Sequence, residues 1–302
     1  MSYSIIKKSL IDYVRKGFLS IIIIGLFLNL ILKDYIWPLS GIYYLLPLHI
    51  LLALSIIYSF ISIGNKLHRN LSILFIALIL FILTFTDSGF IESKESAKLI
   101  SWNIARDRTT SEEVAEFVNK HKAEIFIFIE FDKKSIKNAK KLDLNKLIPE
   151  YKIHRLSGNM AILVRDEFSF TRFDSLTDRY NYFNIVKANG IRYAVVDVGS
   201  WPLYNRAKPF DMLFDLVTEY KVDIIAGDFN TPYATIHFEK FLENYNCGKS
   251  EKPYGRTTWP SYFPFVSLDH ILVSKKYKIT KYQPEKICVS DHYPLLLSYE
   301  KK

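Results

Sequence analysis

Five short polar motifs in this chain each border an apolar run of the kind that forms a buried strand. Their side chains are carboxylates, amides and an imidazole, which bind divalent cations and transfer protons. Because residues at strand ends can point into one cleft, we expect the motifs to meet at a single site. In chain order they are Ser101-Trp102-Asn103-Ile104, Ile127-Phe128-Ile129-Glu130, Ala226-Gly227-Asp228-Phe229-Asn230, Ser267-Leu268-Asp269-His270-Ile271 and Val289-Ser290-Asp291-His292.

A structural role could explain each of these residues taken alone. Asn103 or Asn230 could cap a turn, Glu130 could open a loop, and Asp269 could cap a strand end. A fixed tetrapeptide such as Gly227–Asn230, however, is expected by chance only about once per 10^5 positions at average residue usage. The five motifs together therefore favour a functional site.

Hydrophobic periodicity predicts the elements that would position this site. Helices are predicted after the capping box of Thr110 and Glu113, over Pro209–Tyr220 and around Thr235–Tyr245. Many strands with a few interleaved helices indicate a mixed α/β sandwich. The predicted strands are Lys98–Ile104, Glu124–Ile129, Tyr151–Leu156, Asn159–Arg165, Phe168–Phe173, Phe183–Ala188, Ile191–Val198, Val222–Ala226, His270–Val273 and Leu295–Tyr299.

Length and composition bound the rest of the chain. It has 302 residues, of which 15% are aromatic, and only two cysteines. These values exclude a disordered chain, collagen, a coiled coil and a small disulfide scaffold. We assign residues 1–90 to a membrane anchor and residues 91–302 to a catalytic domain, which is long enough to bury one sizeable core.

The set of motifs resembles the endonuclease/exonuclease/phosphatase superfamily, whose fold is the DNase I-like multilayer α/β sandwich. The resemblance covers Lys98–Tyr299, and its most specific parts are Gly227–Asn230 and Ser290–His292. Together with three N-terminal spans, the Thr258-Trp259-Pro260 that precedes Asp269 looks more particularly like the VanJ-type membrane-anchored branch. That branch is associated with teicoplanin resistance and with hydrolysis of lipid pyrophosphates.

The resemblance implies Mg²⁺ or Mn²⁺ as the cofactor, and the chemistry agrees. A phosphoester repels hydroxide, so a hard divalent cation with oxygen ligands is needed. Glu130 would be the main ligand, with Asn103 completing the site or holding a phosphoryl oxygen. Asp291 would reach the metal through water or assist the leaving group. His292 would face the scissile phosphate, and Asp269 would fix its protonation state.

The second sheet would supply the groups that activate water. Asp228 would orient or deprotonate the attacking water, and Asn230 would donate to the transition-state oxygen. Many superfamily members carry a histidine where this chain has Gly199-Ser200. A second phosphate donor must then come from elsewhere, although each candidate could instead be a surface or turn residue. The candidates are Arg206, Arg256 and His154.

Three apolar runs dominate residues 17–86, where Lys33, Asp34, Lys66 and Arg69 are the only charged residues. A bilayer core of about 30 Å needs about 20 apolar residues, so the two shorter runs span it only if flanking basic side chains snorkel. We predict that three transmembrane helices precede the sandwich. The runs are Gly17–Leu32, Tyr35–Gly64 and Leu71–Phe85.

Basic residues predict the orientation of these helices. The N-terminal tail and the second loop are basic, whereas the first loop has one Lys beside one Asp, so both basic segments are expected in the cytoplasm. Three crossings of the cell membrane then place the catalytic domain on the extracytoplasmic side. Cys247 and Cys288 could form a disulfide there, or both could remain free thiols.

The leading hypothesis is a metal-dependent phosphohydrolase acting on a membrane lipid phosphate or a polyprenyl pyrophosphate. An anchor presents a lipid at high effective concentration, whereas a soluble polynucleotide gains nothing from it. Tyr262, Phe263 and Phe265 are candidate contacts for the lipid tail, with plain core packing as the alternative.

Two other functions stay open. The net charge of +9 fits an anionic partner, although an ordinary solvated surface explains it at least as well, and a membrane-tethered nuclease is the first alternative. Nucleic acid is disfavoured because the basic run 133–141 is most simply a solvated helix face and the domain has little length for DNA-gripping loops. The second alternative is a catalytically inert interaction module on the same fold, which metal-dependent turnover of any phosphoester would exclude.

Overall fold

A computed structural model of the chain divides into two compact units. The first contains Met1–Thr86 and Trp201–Asn205, and the second contains Asp87–Ser200 and Arg206–Lys302. The structure describes residues 3–84, 91–105, 108–131, 144–247 and 257–302.

The first unit is helical and strongly apolar. Its helices are α1 (Tyr3–Phe27, continued by a wider turn over Leu28–Leu32), α2 (Leu39–Leu45), α3 (Leu48–Ile61) and α4 (Lys66–Thr84). Most of the large apolar side chains that the described residues expose lie in this unit. Two helical segments, Ser9–Leu32 and Lys66–Thr84, are long and apolar enough to cross a membrane.

The middle apolar run is a broken helix pair. Helices α2 and α3 meet at a bend of 72°, and they provide a third candidate span only if the pair counts as one. Pro47 causes the break because proline lacks an amide hydrogen and disfavours helical geometry at the residue before it. Leu46 accordingly leaves the helical region, with φ −119° and ψ 58°. The sequence analysis predicted one uninterrupted transmembrane helix over Tyr35–Gly64, and the break at Pro47 corrects that prediction.

The second unit is a two-sheet α/β sandwich, which confirms the predicted fold class. One sheet has the order β11-β12-β1-β2-β4-β3 and the other β5-β6-β7-β8-β10-β9. The strands are β1 (Leu99–Asn103), β2 (Ile125–Ile129), β3 (Tyr151–Leu156), β4 (Met160–Arg165), β5 (Phe170–Asp178), β6 (Asn181–Ala188), β7 (Ile191–Asp197), β8 (Ile224–Asp228), β9 (Tyr245–Asn246), β10 (Asp269–Ser274), β11 (Tyr277–Pro284) and β12 (Leu295–Lys301).

The main core lies between the two sheets, where apolar side chains such as Ile127, Ile185, Ala226 and Leu272 are buried. Each sheet contains one parallel pair, β1 with β2 and β7 with β8. Every residue of β1, β2 and β8 is buried, as expected for continuous apolar runs covered on both faces. Strands β1 and β8 end at the predicted site residues Asn103 and Asp228, and β2 ends directly before Glu130.

Helices cover the outer faces of the sandwich. They are α5 (Ser111–His121), α6 (Leu144–Leu147), α7 (Ala207–Glu219) and α8 (Glu239–Leu242). The capping box of Thr110 and Glu113 is present and begins α5. The helix predicted around Thr235–Tyr245 is wrong in extent, because a single 3₁₀ turn over Ile236–Phe238 and the short α8 take its place.

Candidate active site

Two carboxylates meet at one end of the second sheet. Asp228 ends β8, Asp269 begins the antiparallel strand β10, and the two are register partners. Gly227 allows this packing: a Cβ there would lie 2.0 Å from the carbonyl oxygen of Val196 on the adjacent strand. The glycine of the tetrapeptide is therefore required by the close approach of β7 to β8.

His292 is held against Asp269 by direct hydrogen bonding. Its Nδ1 lies 2.8 Å from Asp269 Oδ2, and its backbone oxygen accepts a bond of 3.0 Å from Trp102 Nε1. Thr258 Oγ1 donates a hydrogen bond of 2.6 Å to the same carboxylate oxygen. It also accepts hydrogen bonds from the backbone N–H groups of Leu268 and Asp269. The imidazole is thus fixed on one edge, and its Nε2 is directed towards Asp228 at 3.9 Å from Oδ2.

A side-chain hydrogen bond joins the ends of the two sheets. Asn103, the last residue of β1, donates its Nδ2 to Asp228 Oδ2 over 2.9 Å. Asn230 adopts a left-handed conformation with φ 46°, and its backbone N–H donates to Asp228 Oδ1 over 2.8 Å. The Nδ2 of Asn230 donates to the carbonyl of Val198. Both carboxylate oxygens of Asp228 are therefore fixed by neighbouring donors.

Burial and neighbouring charge perturb the titration of these groups. Burial and repulsion from Asp269 raise the pKa of Asp228, against the opposing effects of His292 and Asn103. Burial alone would lower the pKa of His292, but the carboxylates of Asp269, Asp228 and Asp291 outweigh it and raise that pKa. The arrangement favours an imidazolium between two carboxylates.

Three groups come close enough to share one ion. One nitrogen of His292 and one carboxylate oxygen each of Asp228 and Asp269 all lie within 4.8 Å of one another. We call these three buried residues the buried cluster. Neither Glu130 nor Asp291 belongs to it, so their assignment as metal ligands stays a prediction.

A more exposed set of residues borders the buried cluster. Glu130 directly follows Ile129, the register partner of Asn103, and its backbone is left-handed with φ 58°. Asp291 precedes His292, and its Oδ2 lies 3.1 Å from Arg108 Nη1. We call Glu130, Asp291 and Arg108 the rim.

Arg206 contacts the protein backbone next to the site. The residue is 2% exposed, and its guanidinium donates to the carbonyl of Asn230 over 2.9 Å, to Thr231 Oγ1 over 2.7 Å and to the carbonyl of Gly199 over 3.4 Å. These bonds position the segment that follows β8. Its predicted role as a phosphate donor stays a prediction.

The other two predicted phosphate donors are His154 and Arg256. His154 is on β3, and its ring stacks on Phe170 with centroids 3.7 Å apart. Arg256 and the basic run 133–141 lie outside the described residues. Cys247 and Cys288 are both free, the first buried and the second exposed.

Several hydroxyl groups to which the sequence analysis gave no role hold the site together. Ser290 Oγ donates to the carbonyl of Asn103 over 2.7 Å, and Ser261 Oγ donates to the carbonyl of Ser290 over 2.6 Å. The next two residues, Tyr262 and Phe263, are 76% and 68% exposed. Thr258 and Ser290 lie in motifs that the sequence analysis named, whereas Ser261 had no signal, because a small hydroxyl residue looks like an ordinary loop residue.

Comparison with known proteins agrees with this fold. A model of the endonuclease/exonuclease/phosphatase family matches residues 100–292. An endonuclease/exonuclease/phosphatase from Bacteroides vulgatus is similar, with a TM-score of 0.51 and 16% identity over 69% of this chain and 100% of its own. A humanized D. rerio TDP2 has a TM-score of 0.50 and 15% identity over 67% of this chain and 98% of its own. No curated protein matches the chain at a significant level.

Proposed function

Because the chain belongs to the endonuclease/exonuclease/phosphatase family, we propose that it is a metal-dependent phosphohydrolase acting on a membrane lipid phosphate or a polyprenyl pyrophosphate. The observation that carries the proposal is the buried cluster, in which an imidazole bonded to one carboxylate faces a second carboxylate. Such a set suits attack of water on an anionic ester.

The donor chemistry of the site fits a divalent cation. Hard cations such as Mg²⁺ prefer oxygen ligands, and the site offers the carboxylates of Glu130 and Asp291 and the amide oxygen of Asn103 next to the two carboxylates of the buried cluster. Glu130, Asn103 and Asp291 are the residues that we propose to hold Mg²⁺ or Mn²⁺. Such an ion, when bound, would neutralise charge on the phosphate.

The protein groups divide the proton transfers between them. Hydrolysis forms a bond from a water oxygen to phosphorus and breaks the bond from phosphorus to the leaving oxygen. Asp228 would orient this water and accept its proton, because its raised pKa makes the carboxylate a better base. His292 would donate from Nε2 to a phosphoryl or leaving oxygen while Asp269 holds Nδ1. The second Nδ2 hydrogen of Asn230 would donate to a phosphoryl oxygen.

The proposal of a lipid substrate rests on two further features. The chain carries two helices apolar enough to span a membrane, or three with the bent pair. Tyr262 and Phe263 are exposed on the loop that follows Ser261. This loop is hydrogen-bonded to the site, because the backbone N–H of Ser261 donates to the carbonyl of Asp291 over 2.8 Å. The resemblance of the motifs to the VanJ-type branch points to the same substrate class. Exposed aromatic side chains beside a polar cleft suit a substrate with an anionic head and an apolar tail.

Hydrolysis by the full-length protein in liposomes tests this function. We expect Mg²⁺-dependent release of phosphate or a phosphorylated headgroup from lipid, no release in EDTA, and much slower cleavage of DNA or RNA. Wild-type turnover in EDTA would exclude the metal, and Mg²⁺-dependent nicking of plasmid DNA without lipid turnover would favour the nuclease. If the protein hydrolyses no phosphoester, the catalytically inert interaction module is the hypothesis that remains.

We further propose that the catalytic domain faces the extracytoplasmic side. The test introduces a cysteine at Ser93 in a chain whose exposed Cys288 is replaced by Ser, and labels intact cells with an impermeant maleimide. Labelling before lysis is expected. Labelling only after lysis would place the domain in the cytoplasm.

A further inference from the structure

Arg108 brings a positive charge to the rim of the site. Its Nη1 lies 3.1 Å from Asp291 Oδ2, while its side chain is 60% exposed and that of Asp291 is 21% exposed. Its backbone N–H donates to the carbonyl of Ala105 over 2.9 Å, and the N-cap of α5 follows at Thr110. Arg108 therefore lies between β1 and α5, and more than half of its side chain is exposed.

The ion pair leaves most of the guanidinium available. A guanidinium carries five N–H donors in a planar fork, and the pair with Asp291 engages one terminal nitrogen. An ion pair this exposed contributes little to folding, so the fold does not depend on it. The remaining donors suit bidentate bonds to phosphate oxygens.

The site needs such a cation for a doubly charged substrate. Its three aspartates, Asp228, Asp269 and Asp291, oppose the approach of an anion, and the guanidinium of Arg108 lies 3.1 Å from one of them. The guanidinium of Arg206 already donates to the backbone carbonyl of Asn230. A terminal phosphate carries nearly two negative charges at neutral pH because its second pKa is about 6, whereas an internal diester carries one.

We propose that Arg108 binds the non-bridging oxygens of a terminal phosphate, or of the second phosphoryl group of a pyrophosphate. It thereby favours these substrates over internal phosphodiesters. The inference rests on the proposed phosphohydrolase function and narrows its substrate class.

Binding of inorganic phosphate tests the role of Arg108 without turnover. Titration calorimetry on the full-length protein in detergent with Mg²⁺ would compare Arg108→Ala, Arg108→Lys and Lys278→Ala. Lys278 is the matched control, because it forms an exposed ion pair of 2.8 Å with Glu300 on the far ends of β11 and β12. Arg108→Ala is expected to weaken phosphate binding at least ~10-fold, as for a charged hydrogen bond. Arg108→Lys should retain part of the affinity and Lys278→Ala all of it.

Kinetics with two small substrates, the monoester para-nitrophenyl phosphate and the diester bis(para-nitrophenyl) phosphate, tests the selectivity. For Arg108→Ala we expect KM to rise ~10-fold for the monoester and less than ~3-fold for the diester, with kcat little changed. Wild-type phosphate binding by Arg108→Ala, or equal increases in KM for the two substrates, would overturn the proposal. If the wild type hydrolyses neither compound, lipid hydrolysis in liposomes decides the proposed function, and phosphate binding still decides the role of Arg108.

Discussion

The buried cluster and the rim lie side by side but are built differently. In the buried cluster, Asp228 and Asp269 each accept bonds from at least two donors, and both are almost fully enclosed. At the rim, Asp291 is partly exposed and pairs with an arginine whose side chain is mostly exposed. The buried groups are thus held in place by the fold itself, whereas the rim can exchange partners.

This difference separates two requirements of catalysis. Groups that transfer protons must be preorganised, because reorganisation during the reaction would cost part of the rate enhancement. Groups that bind ions and substrate must release them, so they need access to water. We therefore expect changes in the buried cluster to affect both rate and stability, and changes at the rim to affect ligand affinity alone.

His292→Ala should have the largest effect. Removing a preorganised catalytic group typically lowers kcat ~10²- to 10³-fold, and Asp269 would also lose one of its buried partners. The measurement is Mg²⁺-dependent hydrolysis together with thermal unfolding of the full-length protein. Hydrolysis near the wild-type rate would show that the buried cluster is not the catalytic centre.

Glu130→Gln should weaken metal activation without weakening the fold. We expect the Mg²⁺ concentration for half-maximal activity to rise ~10-fold or more, as when a metal ligand or a residue that orients a ligand is lost. The unfolding free energy should change by ~0.5 kcal/mol or less. Glu167→Gln, an exposed carboxylate after β4, is the control. A Mg²⁺ dependence identical to the wild type would remove Glu130 from the metal site.

Thr258→Val compares a buried hydroxyl with an exposed one. Thr258 donates to buried Asp269 over 2.6 Å, and Thr280 donates to exposed Glu95 over 2.8 Å. Loss of the buried bond should cost ~1–3 kcal/mol of unfolding free energy because a buried carboxylate loses a donor, and Thr280→Val should cost little. Equal costs, measured by denaturant unfolding, would contradict the importance of burial.

Glu285→Gln should have the smallest effect, a loss of stability at neutral pH that disappears in acid. Burial alone would raise the pKa of Glu285, but contacts from His121 and Lys120 outweigh it and lower that pKa to about 2. A depressed folded-state pKa stabilises the protein above the unfolded value of about 4.5, and this contribution is lost as pH falls from there towards 2. The variant should lose stability less steeply across that range. An unchanged acid unfolding profile would show that the contacts of Glu285 with His121 and Lys120 contribute nothing to stability.

Local patterns predicted most of the second unit. The capping box at Thr110, the continuous apolar runs of β1, β2 and β8, and the amphipathic α7 depend on neighbouring residues alone. Strand β11 was missed because it is an edge strand rich in Lys and Tyr, with an irregularity between Ile279 and Lys281 that interrupts its alternation. Its structure depends on pairing with β12.

The sequence by itself determined which residue types stand at the strand ends, because strand periodicity and the Gly227–Asn230 spacing are local. Tertiary structure decided which of them meet. Asn103 and Asp228 are 125 residues apart and bond across two sheets, and Ser290 and Asn103 are 187 residues apart. Arg206 could be a phosphate ligand in the sequence, yet in the fold its guanidinium bonds to backbone carbonyls. Such contacts depend on how the sheets pack, and no local pattern encodes that packing.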